Sequence, residues 1–268
     1  MSRRNRPSYK TLLDFAHELA DASGAVLRPY FRKRLNVENK AGKGAFDPVT
    51  AADRGAERAL AKAIAKRWPD HGVVGEEYGT HNEDASLRWI IDPIDGTRAF
   101  IMGSPLWGTL IGLMDGDEAL LGLVDQPFTR ERYWSGAKSS YLRTADGKER
   151  RIRTRACPGL AEATLTTTHP DLFEAGKETT AFARLKAKAR MTRYGGDCYG
   201  YCLLAAGFVD IVVEAGLKPY DIVALIPIVE RAGGCITTWK GEPAMNGGRI
   251  VATGDPRVHE EALALLSR

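Results

Sequence analysis

The 268-residue sequence predicts a mixed α/β protein whose two lobes form one compact unit. In the first half, apolar residues recur at helical spacing and are followed by short apolar stretches that alternate with glycine. A basic, polar stretch at 143–160 precedes a second pattern, in which strand-like and helix-like segments alternate to the end, as in α/β proteins. We therefore predict an N-terminal α+β lobe over 1–145 and a C-terminal α/β lobe over 146–268.

Two amphipathic helices are predicted at the start of the first lobe. The spacing of apolar residues such as Phe15 and Leu19 predicts a helix over 8–35. After a polar loop, Thr50 or Asp53 begins a second helix, because alanine and leucine again recur at helical spacing behind them.

Short apolar segments predict the strands of the first lobe. One runs from Gly72 into two adjacent glutamates, and another, at 87–91, is stopped by Asp92 and Pro93. The sequence Asp-Gly-Asp at 115–117 predicts a hairpin turn. The remaining predicted strands are 106–114, 119–125, 132–136 and 140–143.

The second lobe is predicted to alternate between strands and helices. The strands lie near 163–168, 190–194, 209–214 and 250–252, and the helices near 171–187, 198–207, 221–232 and 256–267. Pro227 falls inside the third of these helices and is expected to kink it, because proline has no N–H for the helical hydrogen bond.

Composition excludes several classes of protein. Apolar residues make up 44% and charged residues 27%, which is ordinary for a folded chain. The net charge is only +4, and part of the excess lies in Arg3, Arg4 and Arg6, so a nucleic-acid partner is not expected. No apolar run approaches the roughly 20 residues of a membrane span, and no apolar signal segment follows the basic start. The four cysteines lack zinc spacing, and we expect a cytoplasmic protein with reduced thiols.

The most informative segment is the predicted strand that delivers Asp92 at its carboxyl end, where α/β proteins place their ligands. Asp95 follows three residues later, and Gly96 and Thr97 then begin a predicted helix whose free N–H groups suit a phosphate. Two carboxylates beside an anion site would repel the anion unless cations lie between them. Carboxylate oxygens suit Mg²⁺, which commonly shares its coordination with substrate phosphate. The alternative is a capped turn with solvated aspartates.

Three further acidic positions support a metal cluster. Glu76 and its neighbour Glu77 end a strand, and the alternative is a solvated loop. Asp53 lies near the start of the second helix and is alternatively a helix cap or a surface charge. Asp221 precedes an apolar run and is alternatively the N-cap of its helix, although capping and metal binding do not exclude each other.

These motifs resemble the inositol monophosphatase family. The resemblance rests on Val-Thr-Ala-Ala-Asp at 49–53, Gly-Glu-Glu at 75–77, Trp-Ile-Ile-Asp-Pro-Ile-Asp-Gly-Thr at 89–97 and the segment from Asp221 to Gly234, which occur in the family's order. It covers roughly residues 10–260, and the Asp-Pro-x-Asp-Gly-Thr block is its most specific part. It implies a layered αβαβα fold, a homodimer, and a Mg²⁺-dependent, lithium-sensitive phosphomonoesterase that uses two to three metal ions.

The resemblance also implies residue roles. Glu76, Asp92, the carbonyl oxygen of Ile94, Asp95 and Asp221 would be metal ligands. Thr97 paired with Asp53 would activate the attacking water, with Glu76 also part of the catalytic set. The N–H groups of Gly96 and Thr97 would hold the phosphate, and Asp95 and Asp221 would also contact substrate. Where many members have Trp-Asp, this chain has Tyr220-Asp221, which keeps the carboxylate.

Metal-dependent hydrolysis fits this chain better than rival phosphatase chemistries. Clustered divalent ions lower the pKa of a bound water and offset charge on the departing oxygen. The haloacid-dehalogenase pattern needs Asp-x-Asp, whereas the spacing here runs from Asp92 to Asp95. Cysteine phosphatases need arginine six positions after cysteine, which none of the four cysteines has.

The substrate is predicted from a second segment. In the resembled family, the glycine-rich entry to a helix at 195–198 and the glutamate that ends the next strand, Glu214, line the leaving-group pocket. This chain adds Asp197, which is alternatively a helix cap. A pocket with two carboxylates favours a cationic alcohol over a neutral polyol. Arg193 is a possible contact to phosphate or to an acid.

The stretches GGDCYGYCLLAAG and VVEAGLKPYDI resemble the histidinol-phosphatase branch of the family. The resemblance implies hydrolysis of L-histidinol phosphate, a small phosphate monoester, to L-histidinol and phosphate in histidine biosynthesis. The runner-up is an inositol-1-monophosphatase or a broad sugar or polyol phosphatase. A non-catalytic phosphate-binding protein is the alternative outside enzymes, and it would be expected to lose Asp53, Thr97 or a metal ligand.

Overall fold

Helices and sheets alternate through five layers in the computed structural model, which describes residues 6–40 and 48–267. The order is two helices, an eight-stranded sheet, a central helical layer, a five-stranded sheet and two outer helices. This confirms the αβαβα architecture that the motifs imply. Arg3 and Arg4 lie outside the described residues.

The larger sheet is built mostly from consecutive antiparallel strands. Its strands are β3 (Gly72–Gly75), β4 (Gly79–His81), β5 (Leu87–Asp95), β6 (Gly108–Asp115), β7 (Glu118–Gln126), β8 (Glu131–Ser135), β9 (Ser140–Arg143) and β10 (Glu149–Ile152). Their spatial order is β10-β9-β8-β7-β6-β5-β3-β4, and the pair β3–β5 is parallel. A separate short pair, β1 (Glu38–Asn39) and β2 (Pro48–Val49), precedes them. Strand β10 pairs with β9, so this sheet extends into the basic stretch after residue 145.

The first layer is the helix pair α1 (Tyr9–Leu27) and α2 (Ala51–Arg67), which packs on one face of the larger sheet. The apolar side of α1 includes Phe15 and Leu19, and these side chains join Trp89 of β5 in one buried cluster. Helix α1 ends at Leu27, well before residue 35, because Pro29 follows and has no N–H with which to continue the helical hydrogen bonds.

The smaller sheet lies between the central and outer helices. Its strands are β11 (Thr164–Thr167), β12 (Met191–Tyr194), β13 (Ile211–Leu217), β14 (Cys235–Thr238) and β15 (Gly248–Thr253), in the order β12-β11-β13-β15-β14. Helices α4 (Lys177–Lys186) and α8 (Pro256–Leu266) pack on its outer face. The predicted helix at 171–187 is in fact a 3-10 turn at Pro170–Leu172 followed by α4, because Gly176 has a φ of +100° between them.

Short helices form the central layer and join the two sheets. They are α5 (Asp197–Ala205), α6 (Pro219–Ile222) and α7 (Leu225–Ala232). The short helix α3 (Thr97–Met102) instead packs through Ala99 and Phe100 into a buried cluster with residues of α1 and α2. The predicted helix at 221–232 is interrupted at residues 223–224. The interruption lies one turn before Pro227, whose missing N–H leaves the carbonyl of Val223 without its helical partner.

Strand β5 continues beyond its predicted end at residue 91, so that prediction is wrong. Asp92 pairs with Leu110 and Asp95 pairs with Gly108, so β5 carries one extra residue across from β6 and continues to Asp95. Pro93 lies inside this bulge, where its missing N–H breaks no ladder hydrogen bond. The bulge redirects the chain between the two aspartates.

None of the described helices combines the length and the apolar composition that a membrane span requires.

Gly122 of β7 is required by the close approach of the α6–α7 connection. A Cβ atom at this position would lie 1.8 Å from the carbonyl oxygen of Ala224. We expect Gly122→Ala to lower the free energy of unfolding by about 2–4 kcal/mol, because backbone in a packed layer must shift to accept it. The midpoint of urea-induced unfolding measures this change.

Gly55 in the interior of α2 is the matched control for Gly122→Ala. A Cβ at Gly55 would meet Val26 at 3.4 Å, which is an ordinary contact. Gly55→Ala is expected to stabilise the protein by about 0.5–1 kcal/mol, since alanine favours the helix over glycine. Equal effects of the two substitutions would contradict the close packing at Gly122.

Candidate active site

Three carboxylates from distant parts of the chain meet at one end of the central layer. Asp92 and Asp95 lie on the bulged end of β5, and Asp221 lies on α6. Oxygen atoms of the three side chains all lie within 4.8 Å of one another. The structure therefore brings together the three aspartates that the sequence selects.

Backbone N–H groups hold each of these carboxylates in place. The N–H of Ile94 donates to Asp92 Oδ1 at 2.9 Å, and the N–H of Cys198 donates to Asp95 Oδ2 at 2.7 Å. The N–H of Lys218 donates to Asp221 Oδ2 at 2.6 Å. Asp221 thus caps α6 and faces the cluster at the same time, because each carboxylate has two oxygens.

The cluster carries more negative charge than its surroundings offset. Burial first, and then the neighbouring carboxylates, hold the pKa values of Asp92 and Asp95 well above the usual range. Burial likewise raises the pKa of Asp221 to about 7. Buried carboxylates in this arrangement need protons or cations beside them. An all-oxygen donor set that is short of positive charge fits a hard divalent cation such as Mg²⁺.

Glu76 lies beside this cluster on the loop after β3. Helix α2 fixes that loop, because Glu57 accepts hydrogen bonds from the N–H groups of Glu77 and Tyr78, each at 2.8 Å. Gly75 leaves room for this contact, since a Cβ there would lie 2.0 Å from Glu57 Oε1.

Lys40 pairs with Glu76 and Glu77, the two glutamates that directly follow β3. Its Nζ lies 2.8 Å from Glu76 Oε1 and 2.6 Å from Glu77 Oε1. Burial raises the pKa of Glu76, Lys40 lowers it, and the negative charges of Glu77 and Asp53 raise it further. Burial first, and then the negative charge of Glu76, raise the pKa of Asp92, so Glu76 adds to the negative charge at the cluster.

Asp53 and Thr97, the predicted water-activating pair, have separate partners. Asp53 is buried on α2 and accepts hydrogen bonds from the N–H and the hydroxyl of Thr50, at 2.8 and 2.6 Å. The hydroxyl of Thr97 donates to the carbonyl oxygen of Ile94 at 3.0 Å. Within the described part of the chain, no hydrogen bond joins Thr97 to Asp53. Asp53 thus completes a capping box with Thr50, the N-cap of α2, and the water-activating role of Asp53 and Thr97 stays a prediction.

Gly96 and Thr97 form the turn into α3 as predicted. Gly96 is the N-cap of this helix and has a φ of +85°, a conformation that favours glycine. A Cβ at Gly96 would lie 3.2 Å from Cβ of Asp197, so the start of α5 packs closely against this turn.

A cavity of about 620 Å³ opens beside the three aspartates. It is lined by the turn before α3, the first turns of α5 and the end of β13. Asp95, Gly96, Thr97, Asp197, Glu214 and Asp221 all line it. The cavity therefore joins the acidic cluster to both carboxylates that the sequence assigns to a leaving-group pocket.

Thr168 connects Asp197 to Glu214. Glu214 is buried and accepts hydrogen bonds from the N–H and the hydroxyl of Thr168, at 2.8 and 3.1 Å. The hydroxyl oxygen of Thr168 also accepts from the N–H of Asp197 at 3.1 Å. Burial raises the pKa of Glu214 to about 8 and that of Asp197 to about 6.

Asp197 does not cap α5. Helix α5 has Gly196 at its N-cap and no side-chain cap hydrogen bond, and Asp197 has a φ of +43°, which is uncommon for a residue with a side chain. The left-handed backbone places its carboxyl group against Gly96, in the cavity wall. The side chain of Asp197 therefore does not cap the helix, which was the alternative to a place in the leaving-group pocket.

Arg193 is exposed on β12 and is not among the described residues that line the cavity. Arg98 lines it instead and lowers the pKa of Asp197.

Sequence reasoning also missed Thr168 and Tyr201. Thr168 directly follows β11, and the carboxyl ends of strands in α/β proteins border ligand sites. Tyr201 lies four residues after Asp197 on the same helix face, and this spacing could have indicated that both residues border the same site.

An acidic cluster beside the start of a helix, opening into a cavity, is typical of a metal-dependent enzyme that acts on phosphate esters. The family comparison agrees with that class. The profile of the inositol monophosphatase family matches residues 8–268, and the chain belongs to this family of phosphatases.

Relatives extend over nearly the whole chain. It is 44% identical over 259 residues to the chloroplastic bifunctional phosphatase IMPL2 of Arabidopsis thaliana, covering 92% of this chain and 72% of that protein. It is 32% identical over 255 residues to a histidinol-phosphatase of Chlorobaculum parvum, covering 95% and 96% of the two chains. A solved inositol monophosphatase structure from Zymomonas mobilis has a TM-score of 0.85 and 41% identity, covering 98% of this chain and all of the other.

The raised pKa values predict an unusual pH dependence without metal. A carboxyl group whose folded pKa is raised binds its proton more tightly in the folded state, so its stabilisation is complete below the unfolded pKa and is lost as pH rises through the folded pKa. In EDTA, we expect the free energy of unfolding to fall by about 2–4 kcal/mol between pH 5 and 8, chiefly through Asp221, whose pKa is about 7. Urea unfolding at several pH values measures it.

Asp221→Asn should flatten this pH profile in EDTA, because it removes one titrating group and part of the field on its neighbours. Adding Mg²⁺ should stabilise the wild-type protein more at pH 8 than at pH 5, since the metal then displaces fewer protons. Asp84→Asn, at an exposed carboxyl group, is the control and should keep the wild-type slope. An unchanged slope in Asp221→Asn would contradict the assignment.

Proposed function

We propose that this phosphatase is Mg²⁺-dependent and hydrolyses L-histidinol phosphate to L-histidinol and phosphate. The observation that carries the substrate assignment is the pair of carboxyl groups, Asp197 and Glu214, in the wall of the cavity. A leaving group that bears an ammonium and an imidazole supplies the positive charge and the donors that such a wall lacks. The histidinol-phosphatase relative at 32% identity supports the same substrate.

Glu76, Asp92, the carbonyl oxygen of Ile94, Asp95 and Asp221 would hold two to three Mg²⁺ ions. Bound there, the ions would supply positive charge that offsets both the carboxylates and the phosphate. The raised pKa values of the three aspartates indicate a shortage of positive charge at the cluster, which the ions would supply. Lithium inhibition and a homodimer stay predictions of the family resemblance.

The chain's own groups have separate tasks in the proposed reaction. The N–H groups of Gly96 and Thr97, at the start of α3, orient the phosphate. Asp53 and Thr97 orient the attacking water, and Asp53 is suited to accept its proton because burial raises its pKa. Asp197 and Glu214 bind the cationic part of the leaving alcohol.

Inositol 1-phosphate is the second candidate substrate. The 41% identity to the Zymomonas mobilis inositol monophosphatase favours it. Its leaving group is an uncharged polyol, so it can donate hydrogen bonds to Glu214 but leaves two carboxyl groups without a countercharge. This difference makes the two substrates separable by kinetics.

Phosphate release from the two esters should be measured side by side in Mg²⁺. We expect kcat/KM for L-histidinol phosphate to exceed that for inositol 1-phosphate by about 100-fold, as a desolvated charge pair is worth about 1.5–3 kcal/mol. EDTA should abolish both activities and Mg²⁺ should restore them. A preference for the inositol ester would reject the substrate but not the phosphatase chemistry.

Asp197→Asn should lower kcat/KM for L-histidinol phosphate about 10- to 100-fold and that for inositol 1-phosphate much less, because it removes charge but keeps shape. Steady-state kinetics with both esters provide the comparison. Asp171→Asn is the control, since that carboxyl group lies near the cavity rim but is 88% exposed. Equal losses on both esters would indicate a structural role for Asp197.

A further inference from the structure

The hydroxyl group of Tyr201 is buried without a hydrogen-bond partner among the described residues. Tyr201 lies on α5, is only 2% exposed, and lines the cavity beside the acidic cluster. A buried hydroxyl that has lost its water and gained no partner destabilises the folded state, whereas a phenylalanine of the same shape would not. The unpaired hydroxyl therefore points to a partner that enters the cavity.

A neighbouring tyrosine on the same helix shows the ordinary arrangement. The hydroxyl of Tyr199 donates to Glu131, and this residue does not line the cavity. The two tyrosines thus differ in that Tyr201 lines the cavity and has an unpaired hydroxyl, whereas Tyr199 lies outside the lining and its hydroxyl is paired.

The charges around Tyr201 indicate what kind of group would meet it. Burial raises the pKa of Tyr201, and the negative charges of Glu214, Asp95 and Asp221 raise it further, so the hydroxyl stays protonated. Glu214 has the largest of these three charge effects and is itself held by Thr168. A ligand group that contacts both the phenol and Glu214 must bring positive charge and several N–H donors.

We propose that Tyr201 is a specificity-determining residue whose hydroxyl oxygen accepts a hydrogen bond from the ammonium group of the leaving alcohol, beside Glu214. This inference rests on the proposed function, since it requires an ester with a cationic leaving group. A primary ammonium has three donors, and the phenolic oxygen offers it an uncharged acceptor next to a charged one. The same contact gives the buried hydroxyl its missing partner.

The test compares Tyr201→Phe with the wild-type enzyme on two matched esters. These are L-histidinol phosphate and its desamino analogue, in which hydrogen replaces the ammonium group. We expect Tyr201→Phe to lower kcat/KM for L-histidinol phosphate about tenfold and to leave that for the desamino ester nearly unchanged. Without substrate, the melting temperature of Tyr201→Phe should equal or exceed the wild-type value, because an unpaired hydroxyl has been removed.

Tyr199→Phe is the matched control. It also removes a phenolic hydroxyl from α5, but one with a partner outside the cavity, so it should lower the melting temperature and keep the wild-type discrimination between the esters. Tyr201→Met is a second variant without the hydroxyl, for use if the phenylalanine variant folds poorly, and it should lose the same discrimination.

Two results would overturn the inference about Tyr201 alone. They are equal losses on both esters with a lowered melting temperature, and full wild-type discrimination in both Tyr201 variants. If the wild-type enzyme itself does not distinguish the two esters, the proposed cationic substrate fails, and the inference fails with it. The wild-type measurement therefore separates failure of the substrate from failure of the Tyr201 contact.

Discussion

Electrostatic repulsion among converging carboxylates is the constraint on which the active site depends. Asp92, Asp95 and Asp221 approach within 4.8 Å of one another, and a folded chain tolerates this only with protons or cations between them. Backbone N–H groups from three different segments hold these side chains in place. The chain's own backbone thus positions these side chains, and their unbalanced charge favours a divalent ion and, through it, a phosphate.

The layered fold makes this convergence possible. The bulge at Pro93 lies at the end of β5, the interrupted α6–α7 segment approaches Gly122 of β7 closely, and α5 starts between the two sheets. Asp95 after the bulge, Asp197 at the start of α5 and Asp221 on α6 all line the cavity. The regular elements form the buried core, and the irregular segments between them carry the functional side chains. Bulges and loops commonly carry binding residues on a rigid scaffold in this way.

The cavity is lined by two chemically different sets of groups. The first set is the aspartates of the acidic cluster and the start of α3, which match a metal-bound phosphate ester. The second set is Asp197 and Glu214, which are joined through Thr168, and Tyr201, whose hydroxyl has no partner among the described residues. The first set agrees with the chain's membership of the inositol monophosphatase family, and the second is where a choice among phosphate esters would be made.

By itself, the sequence determined the mixed α/β class, most strands and helices, and the three aspartates of the cluster, because hydrophobic periodicity and the Asp-Pro-x-Asp-Gly-Thr block are local signals. The layered architecture followed from the family resemblance of these motifs. It misjudged the ends of α1 and β5 and missed β10 and β14. Only the tertiary structure decided that Arg193 is not among the described residues that line the cavity, that Asp197 does not cap its helix, and that the Tyr201 hydroxyl has no partner among the described residues. The physical reason is that side-chain direction and hydrogen-bond partners depend on segments far apart in the chain, which no local pattern records.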